Sequence, residues 1–308
     1  MKSRALGLLA GYAADRLLGD PQRFHPVAGF GSLAGALERR LYVDSRARGV
    51  MHVVVLVGGA VVVGGVAERL APRPLTRTVV TAAATWAVLG GRSLEREATE
   101  VHHYLATGDL PGARQQLTHL VGRDTTELDE PEIARAVIES VAENAADAVV
   151  APLVWGAIAG VPGLLGYRAV NTLDAVVGHH NARYENFGWA SAKLDDLVNL
   201  PGSRLCGLLT VITDPGHAKD AWVAWRRDAS GHPSPNAGVV EATFAGALGI
   251  HLGGTNRYYG NRIEHRAIMG DGRAAQPNDI ARANGLARRI GLGAAVCAAA
   301  ASGVRRRR

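Results

Sequence analysis

The chain has 308 residues, enough for one large domain or two ordinary ones, and a net charge of +6. Hydrophobic residues make up 47% and aromatics only 5%, with 38 glycines. Such small-residue density suits helices whose backbones approach closely, as in membrane bundles, with a soluble Gly/Ala-rich α protein as the alternative. The basic residues form no stripe interleaved with aromatics, which argues against a nucleic-acid partner, and two widely separated cysteines, Cys206 and Cys297, argue against a disulfide framework or a cysteine zinc site.

In chain order, MKSRALGLLAGYAADRLLGD starts basic, but its apolar part is short and interrupted by Asp15, so no cleavable signal is evident. DRLLGDPQRFHPV then gathers Asp15, Asp20, Arg23 and His25, with Pro21 and Pro26 fixing the turns. A helix end followed by a proline-stiffened loop is its plain account. VMHVVVLVGGAVVVGGVA, residues 50–67, has His52 as its only ionisable side chain. As a helix it rises about 27 Å, close to a hydrocarbon core of about 30 Å, so it is expected to span a membrane. A Pro/Arg link leads to TVVTAAATWAVLGG at 78–91, giving a helical hairpin.

Residues 92–147 carry dense, periodic charge and read as a water-facing or interfacial helical insertion. RSLEREATEVHHYLATGDLPGARQQL predicts helix, turn and helix. GRDTTELDE holds Arg123 and Asp124, where a helix cap by Asp124 or Thr125 is the plain account. LDEPEIARAVIESVAEN predicts a helix with Pro131 in its first turn. Along it Glu139, Glu143 and Asp147 recur every fourth residue and line one face, with Asn144 beside them and an apolar run directly after. Desolvated carboxylates are costly unless paired or metal-bound, and hard oxygen ligands of this kind suit Mg²⁺. A solvated face neutralised by arginines is the alternative.

The apolar stretch at 148–166 is broken by Pro152 and Pro162. YRAVNTLDAVVGHHNARYENFGWASAKLDDLVNLPGSR follows, with Asn171 and Asp174 three apart, then Lys193, Asp195, Asp196 and Asn199 within two turns, and Arg204 just after. His179 and His180 match no standard zinc spacing. This mixture of Asn, Asp, Lys and Arg looks more like phosphate and magnesium handling. In SPNAGVVEATFAGALGIHLGG, Ser234 or Asn236 could simply cap a helix, whereas Glu241, inside an apolar run at 237–254, is a functional candidate. The last apolar segment, 290–304, leads to Arg305–Arg308, a flank suited to anionic lipid. That tail favours a cytoplasmic C-terminus, while Arg69, Arg73 and Arg77 favour the opposite side for the first link, so orientation stays open. No strand alternation is sustained. The expected architecture is an all-α, multi-pass integral membrane helical bundle, a single membrane-embedded catalytic domain over 1–308 with polar loops carrying the active site. Neither GxxxxGK[ST] nor a strand-to-helix GxGxxG occurs, so any ATP would be held by an unfamiliar site.

Taken together, GDPQRFHPV, GRDTTEL, ESVAENAADAVVAPL, YRAVNTLDAVVGH, AKLDDLVNLPGSRL and SPNAGVVEATFAGALGIHLGG resemble, in order, the adenosylcobinamide-phosphate synthase family of cobalamin biosynthesis. The resemblance covers roughly residues 10 to 260. It departs where the family often reads NTLDSM and this chain has Ala175 and Val176, and where Ala148 stands in place of a common glycine. The resemblance implies an integral membrane ligase. Its reaction joins the free propionate of the corrinoid adenosylcobyric acid to the amine of (R)-1-amino-2-propanol phosphate, or a related amino-alcohol phosphate, using ATP and Mg²⁺.

A carboxylate must first become an acyl phosphate or similar mixed anhydride, and phosphoryl transfer is largely positioning and charge neutralisation. On that reaction Glu139, Glu143, Asp147 and Asp174 are the expected metal residues, with Lys193, Arg123 and Arg204 meeting phosphates. Asp124, Asn144, Asn171, Asp195, Asp196, Asn199, Ser234, Asn236 and Glu241 are expected to contact substrate or nucleotide, and Asp20 or His25 to take the amine's proton. The lipid bilayer is an expected partner, together with a second copy or other cobalamin-assembly membrane proteins. A transporter or scaffold for cobalamin intermediates is the competing class.

Overall fold

A computed structural model describes residues 2–19, 25–179, 181–258 and 262–304. Asp20 and Arg23, His180 and the Arg305–Arg308 tail lie outside the described residues. The chain is mostly helical and divides into two compact units. Unit 1 comprises 1–90, 147–202 and 294–308; unit 2 comprises 91–146 and 203–293. The segment read from sequence as 92–147 thus falls mainly in unit 2, alongside a second stretch of chain.

Unit 1 is built from α1 (Lys2–Leu18), α2 (Pro26–Leu41), α3 (Arg46–Arg69) and α4 (Pro74–Val88), then α8 (Ala151–Ala159) and α9 (Val161–Val177), with the first part of α10 (Trp189–Thr213). Small residues set its packing. On α1, Gly7 and Gly11 lie against Thr81 and Thr85 of α4, and a Cβ added at Gly7 would sit 2.5 Å from the Thr81 Cβ. Gly64 of α3 similarly meets the backbone of Pro162 on α9. Glu68 accepts the Val161 N–H at 3.0 Å and so satisfies an orphan donor at the start of α9, while Arg4 lies 3.6 Å from the same carboxylate. Gly160, at φ 71°, makes the tight entry to that helix.

Among the described residues, two helical stretches are long and apolar enough to cross a membrane, Arg46–Arg69 and Glu130–Ala159. They differ in what surrounds them. Only 22% of the apolar window of α3 is buried within the chain, against 67% for the second stretch. Val54, Val55, Val62, Val63 and Val66 all stand exposed on α3.

Unit 2 contains α5 (Gly91–Ala106), α6 (Leu110–Leu117), α7 (Glu130–Ala145), the remainder of α10, α11 (Ala218–Asp228), α12 (Ala237–Leu248) and the first part of α13 (Pro277–Val304). α5 and α6 meet at the expected TGD turn, where Gly108 takes φ 75° and Asp109 accepts the Gly112 N–H. α7 starts on a capping box: Asp129 accepts the Glu132 N–H, and Glu132 accepts the Asp129 N–H. Residues Ile133–Ala142 of α7 are buried in unbroken sequence, as are Gly238–Leu248 of α12. A helix apolar on every side can be a core helix as well as a membrane span, and at 12 residues α12 is too short to span.

The all-α expectation holds for most of the described residues, which also include one antiparallel hairpin in unit 2, β1 (Leu252–Tyr258) and β2 (Arg262–Met269). The apolar run read through to residue 254 ends at Gly249, which adopts the left-handed conformation at φ 65° and closes α12. Gly253, at φ 86°, then supports the register shift between Leu252 and Gly254.

Candidate functional site

Within unit 2, α7 aims two carboxylates inward one turn apart, and the fold treats them differently. Glu139 is saturated. Arg123 donates to its Oε2 at 2.5 Å and Arg135 to its Oε1 at 3.2 Å, while the Gly253 N–H donates to Oε1 at 2.9 Å. Arg135 also donates to the Asn256 Oδ1 at 3.1 Å and to the Thr255 carbonyl at 3.1 Å, and Arg123 donates to the same Asn256 oxygen. Two buried guanidiniums thus fasten β1 to α7 through one carboxylate. Sequence reading missed Arg135 and Asn256; Arg135 lies one turn before Glu139, a spacing that allows the pair.

Glu143 faces another environment. One ligand atom each from Glu143, His232 and Glu241 lies within 4.8 Å of the others. Glu241 is fully buried, and no N–H or hydroxyl donor reaches either of its oxygens, which face the Glu143 carboxyl. Burial, and then the neighbouring Glu143 carboxylate, push its pKa well above the usual carboxylate range. The His232 Nε2 stands 3.5 Å from the Glu241 Oε1 and 3.2 Å from the Arg266 Nη1. Burial, followed by Arg266, lowers the His232 pKa and favours the neutral ring. His232 also forms one wall of a cavity of about 390 Å³ that Arg204, Trp225 and Arg226 help to line. Arg204 donates to the Asn236 Oδ1 at 2.7 Å and to the Ser203 Oγ at 2.9 Å. The cationic lining of this cavity suits a phosphate. His232 was not singled out from sequence; its signal was the polar GHPSPNAG string directly before an apolar helix.

Unit 1 holds a second polar cluster, where α9 and α10 bring Asn171, Asp174, Asp195 and Asn199 together. Asn199 donates to the Asp195 Oδ2 at 2.8 Å, and the Tyr167 hydroxyl lies 2.6 Å from the Asn199 Oδ1 and 3.0 Å from the Asp147 carbonyl. Gly178 is essential to this crowding, because a Cβ there would collide with the Asp174 carboxylate. The Asp195 pKa is pushed up to about 7, first by burial and then by Asp174. Since this exceeds the ordinary value of 3.8, the folded chain holds a proton that the unfolded chain releases. That contribution to stability is complete below the ordinary value and is lost as pH rises through about 7. Asp195→Asn is therefore expected to raise the thermal midpoint of metal-free protein more at about pH 8 than at about pH 5, as read by unfolding scans in chelator.

The four residues expected to share one metal do not form one group within a unit. Glu139 and Glu143 belong to unit 2, and Asp147 and Asp174 to unit 1. The chain leaves the α-helical path after Ala145, because Ala146–Val150 is a π-helical turn. The four-residue stripe assumed across Glu143 and Asp147 is therefore interrupted. Lys193 is exposed and lies 3.7 Å from Asp196, a surface pair outside the polar cluster. His25 caps α2, accepting the Val27 N–H at Nδ1. Asp124 accepts the backbone N–H and hydroxyl of Thr126, Asn144 donates to the Ser140 carbonyl, and the Ser234 Oγ accepts the Ala237 N–H. Ser234 thus bonds near the start of α12, whereas Asp124 closes a turn instead of capping a helix, since Asp129 caps α7.

A family model described as "CobD/Cbib protein" matches residues 8–287. A cobalamin biosynthesis protein CobD of Mycobacterium tuberculosis (strain CDC 1551 / Oshkosh) is 48% identical over 300 residues, covering 96% of this chain and 95% of its own length. Proteins of the same name from Geobacter metallireducens and Chromobacterium violaceum are 45% and 43% identical, with coverage of 85% and 96% of both chains, respectively. No solved structure matches. The chain belongs to the CobD/CbiB family of cobalamin biosynthesis proteins.

Proposed function

We propose that the chain is an acid–amine ligase that forms adenosylcobinamide phosphate from adenosylcobyric acid and (R)-1-amino-2-propanol phosphate, or a related amino-alcohol phosphate, with ATP and Mg²⁺. The observation that carries this reading is the convergence, in a chain of this family, of buried carboxylates with an arginine-lined cavity in unit 2. Activating a carboxylate calls for anion-binding cations and acidic metal-binding groups, and both residue types are present. Arg204 is the candidate for a substrate phosphate. Among the described residues, the all-oxygen set around Asp174 and Asp195 fits Mg²⁺, which takes oxygen ligands and keeps several waters. Bound there, the ion would neutralise phosphate charge, while Asn171 and Asn199 hold the carboxylates in place.

The localisation proposed with this activity is the cell membrane, crossed more than once. The unpartnered valine face of α3 supports it, as do the exposed Leu6, Leu9, Leu75 and Val79 on α1 and α4. A corrinoid is large and amphipathic, which suits an enzyme at a lipid boundary. The test is reconstitution: detergent-purified protein receives both substrates, ATP and Mg²⁺, and product is followed by mass. The reading expects the amide mass only when ATP is present. Corrinoid uptake into sealed vesicles without amide product would instead identify a transporter.

A further inference from the structure

We propose that Glu143, His232 and Glu241 form a binding site for a divalent transition-metal ion of the manganese, iron or zinc class, distinct from the Mg²⁺ that accompanies ATP. The three side chains come from α7, from the loop before α12 and from α12 itself, yet their ligand atoms fall within 4.8 Å of one another. Their donor set is one ring nitrogen and two carboxylates. Imidazole suits borderline transition ions, whereas Mg²⁺ prefers oxygen alone, so the nitrogen distinguishes this site from the oxygen cluster of unit 1.

A second observation points to a ligand. Glu241 is fully enclosed, and no N–H or hydroxyl donor reaches either of its oxygens, which face the Glu143 carboxyl instead. A carboxylate so placed beside a second carboxylate needs a shared proton or a cation. Arg266, at 3.9 Å from the Glu241 Oε1, is too far for a hydrogen bond. Arg266 also has other anchors, donating to Glu264 at 3.1 Å and to the Tyr258 hydroxyl at 3.1 Å. It can therefore stay in place when the ring nitrogen takes a different partner. Glu139 does not compete for the ion, because Arg123 and Arg135 occupy its oxygens.

The histidine ring is held from behind by its own loop. Its Nδ1 accepts the Ser234 N–H at 3.0 Å and lies 3.3 Å from the Ser234 carbonyl, so the backbone of its own loop holds the ring with Nε2 facing Glu241. Hydrogen bonds behind an imidazole are a common means of fixing the orientation of a metal ligand.

The test uses full-length protein in detergent, stripped with chelator and titrated with Mn²⁺ while free ion is followed by electron paramagnetic resonance. With Mg²⁺ present to fill the oxygen cluster of unit 1, one Mn²⁺ per chain is expected, and its displacement should require at least about a tenfold higher concentration of Mg²⁺. Electron spin-echo spectra should show nitrogen modulation that disappears in His232→Ala. Glu241→Gln, which removes a buried charge without changing shape, should weaken Mn²⁺ by about tenfold or more while the circular dichroism spectrum is kept. Absence of Mn²⁺ binding, unchanged affinity in Glu241→Gln, or displacement by equimolar Mg²⁺ would each overturn the proposal. If His232→Ala does not fold, Glu241→Gln and the wild-type nitrogen modulation decide alone. The site does not rest on the ligase reading: a chain that forms no amide can still bind Mn²⁺, and an active chain without this ion leaves the ligation standing.

Discussion

Glu143→Gln is expected to lower amide formation by about 100-fold or more, while the protein remains folded with an unchanged thermal midpoint or a slightly higher one. The substitution keeps size and shape. It removes one of two carboxyl groups that converge with His232 and leaves an amide beside Glu241, so no buried charge is left without a partner. The fold gains or is unaffected, and the loss falls on whatever the pair of charges holds. Product formation measured beside an unfolding scan separates the two effects. A Glu143→Gln protein within tenfold of wild type would remove Glu143 from the chemistry without touching the reaction itself.

One turn earlier on the same helix, Glu139→Ala should behave in the opposite way. Arg123 and Arg135, with side chains only 7% and 11% exposed, would lose their shared counter-ion, and the Gly253 N–H would lose its acceptor. Breaking a buried ion pair by removing one partner costs about 3–5 kcal/mol, because the remaining charge stays desolvated. The expected result is a large drop in thermal midpoint and loosening of the β1–β2 hairpin, visible as faster amide exchange at Asn256. Glu139→Gln, which keeps an acceptor, should be milder. A Glu139→Ala protein as stable as wild type would show that the arginine network is not holding the strand to the helix.

That contrast shows what was legible in the sequence. ESVAENAAD announced carboxylates at helical spacing, and α7 begins with Pro131 in its first turn as predicted, though Asp129 and not Asp124 or Thr125 caps it. Nothing in a one-dimensional string distinguishes Glu139 from Glu143, because their fates depend on Arg123, Asn256, His232 and Arg266, which arrive from distant segments. The π-helical turn at Ala146–Val150 was also hidden, since an extra residue per turn leaves no mark on composition. Glycines misled at one place. In GALGIHLGG the apolar run looked like continued helix, but Gly249 and Gly253 take positive φ and convert it into a helix end and a strand. The polar motifs carried the family resemblance because their residues must sit in fixed places. The hairpin after them was less visible, because a two-stranded ribbon with one face in solvent needs little apolar alternation.

The most direct measurement places a heavy-oxygen label in the propionate carboxylate of adenosylcobyric acid and follows it through one turnover with ATP. If the carboxylate is activated as a mixed anhydride, one labelled oxygen leaves with the phosphoryl group when the amine attacks. The label should then appear in inorganic phosphate, or in AMP if an adenylate is formed, in equal amount to the amide. Amide formed with both labelled oxygens absent from every phosphate product, or label transfer without ATP, would contradict the account.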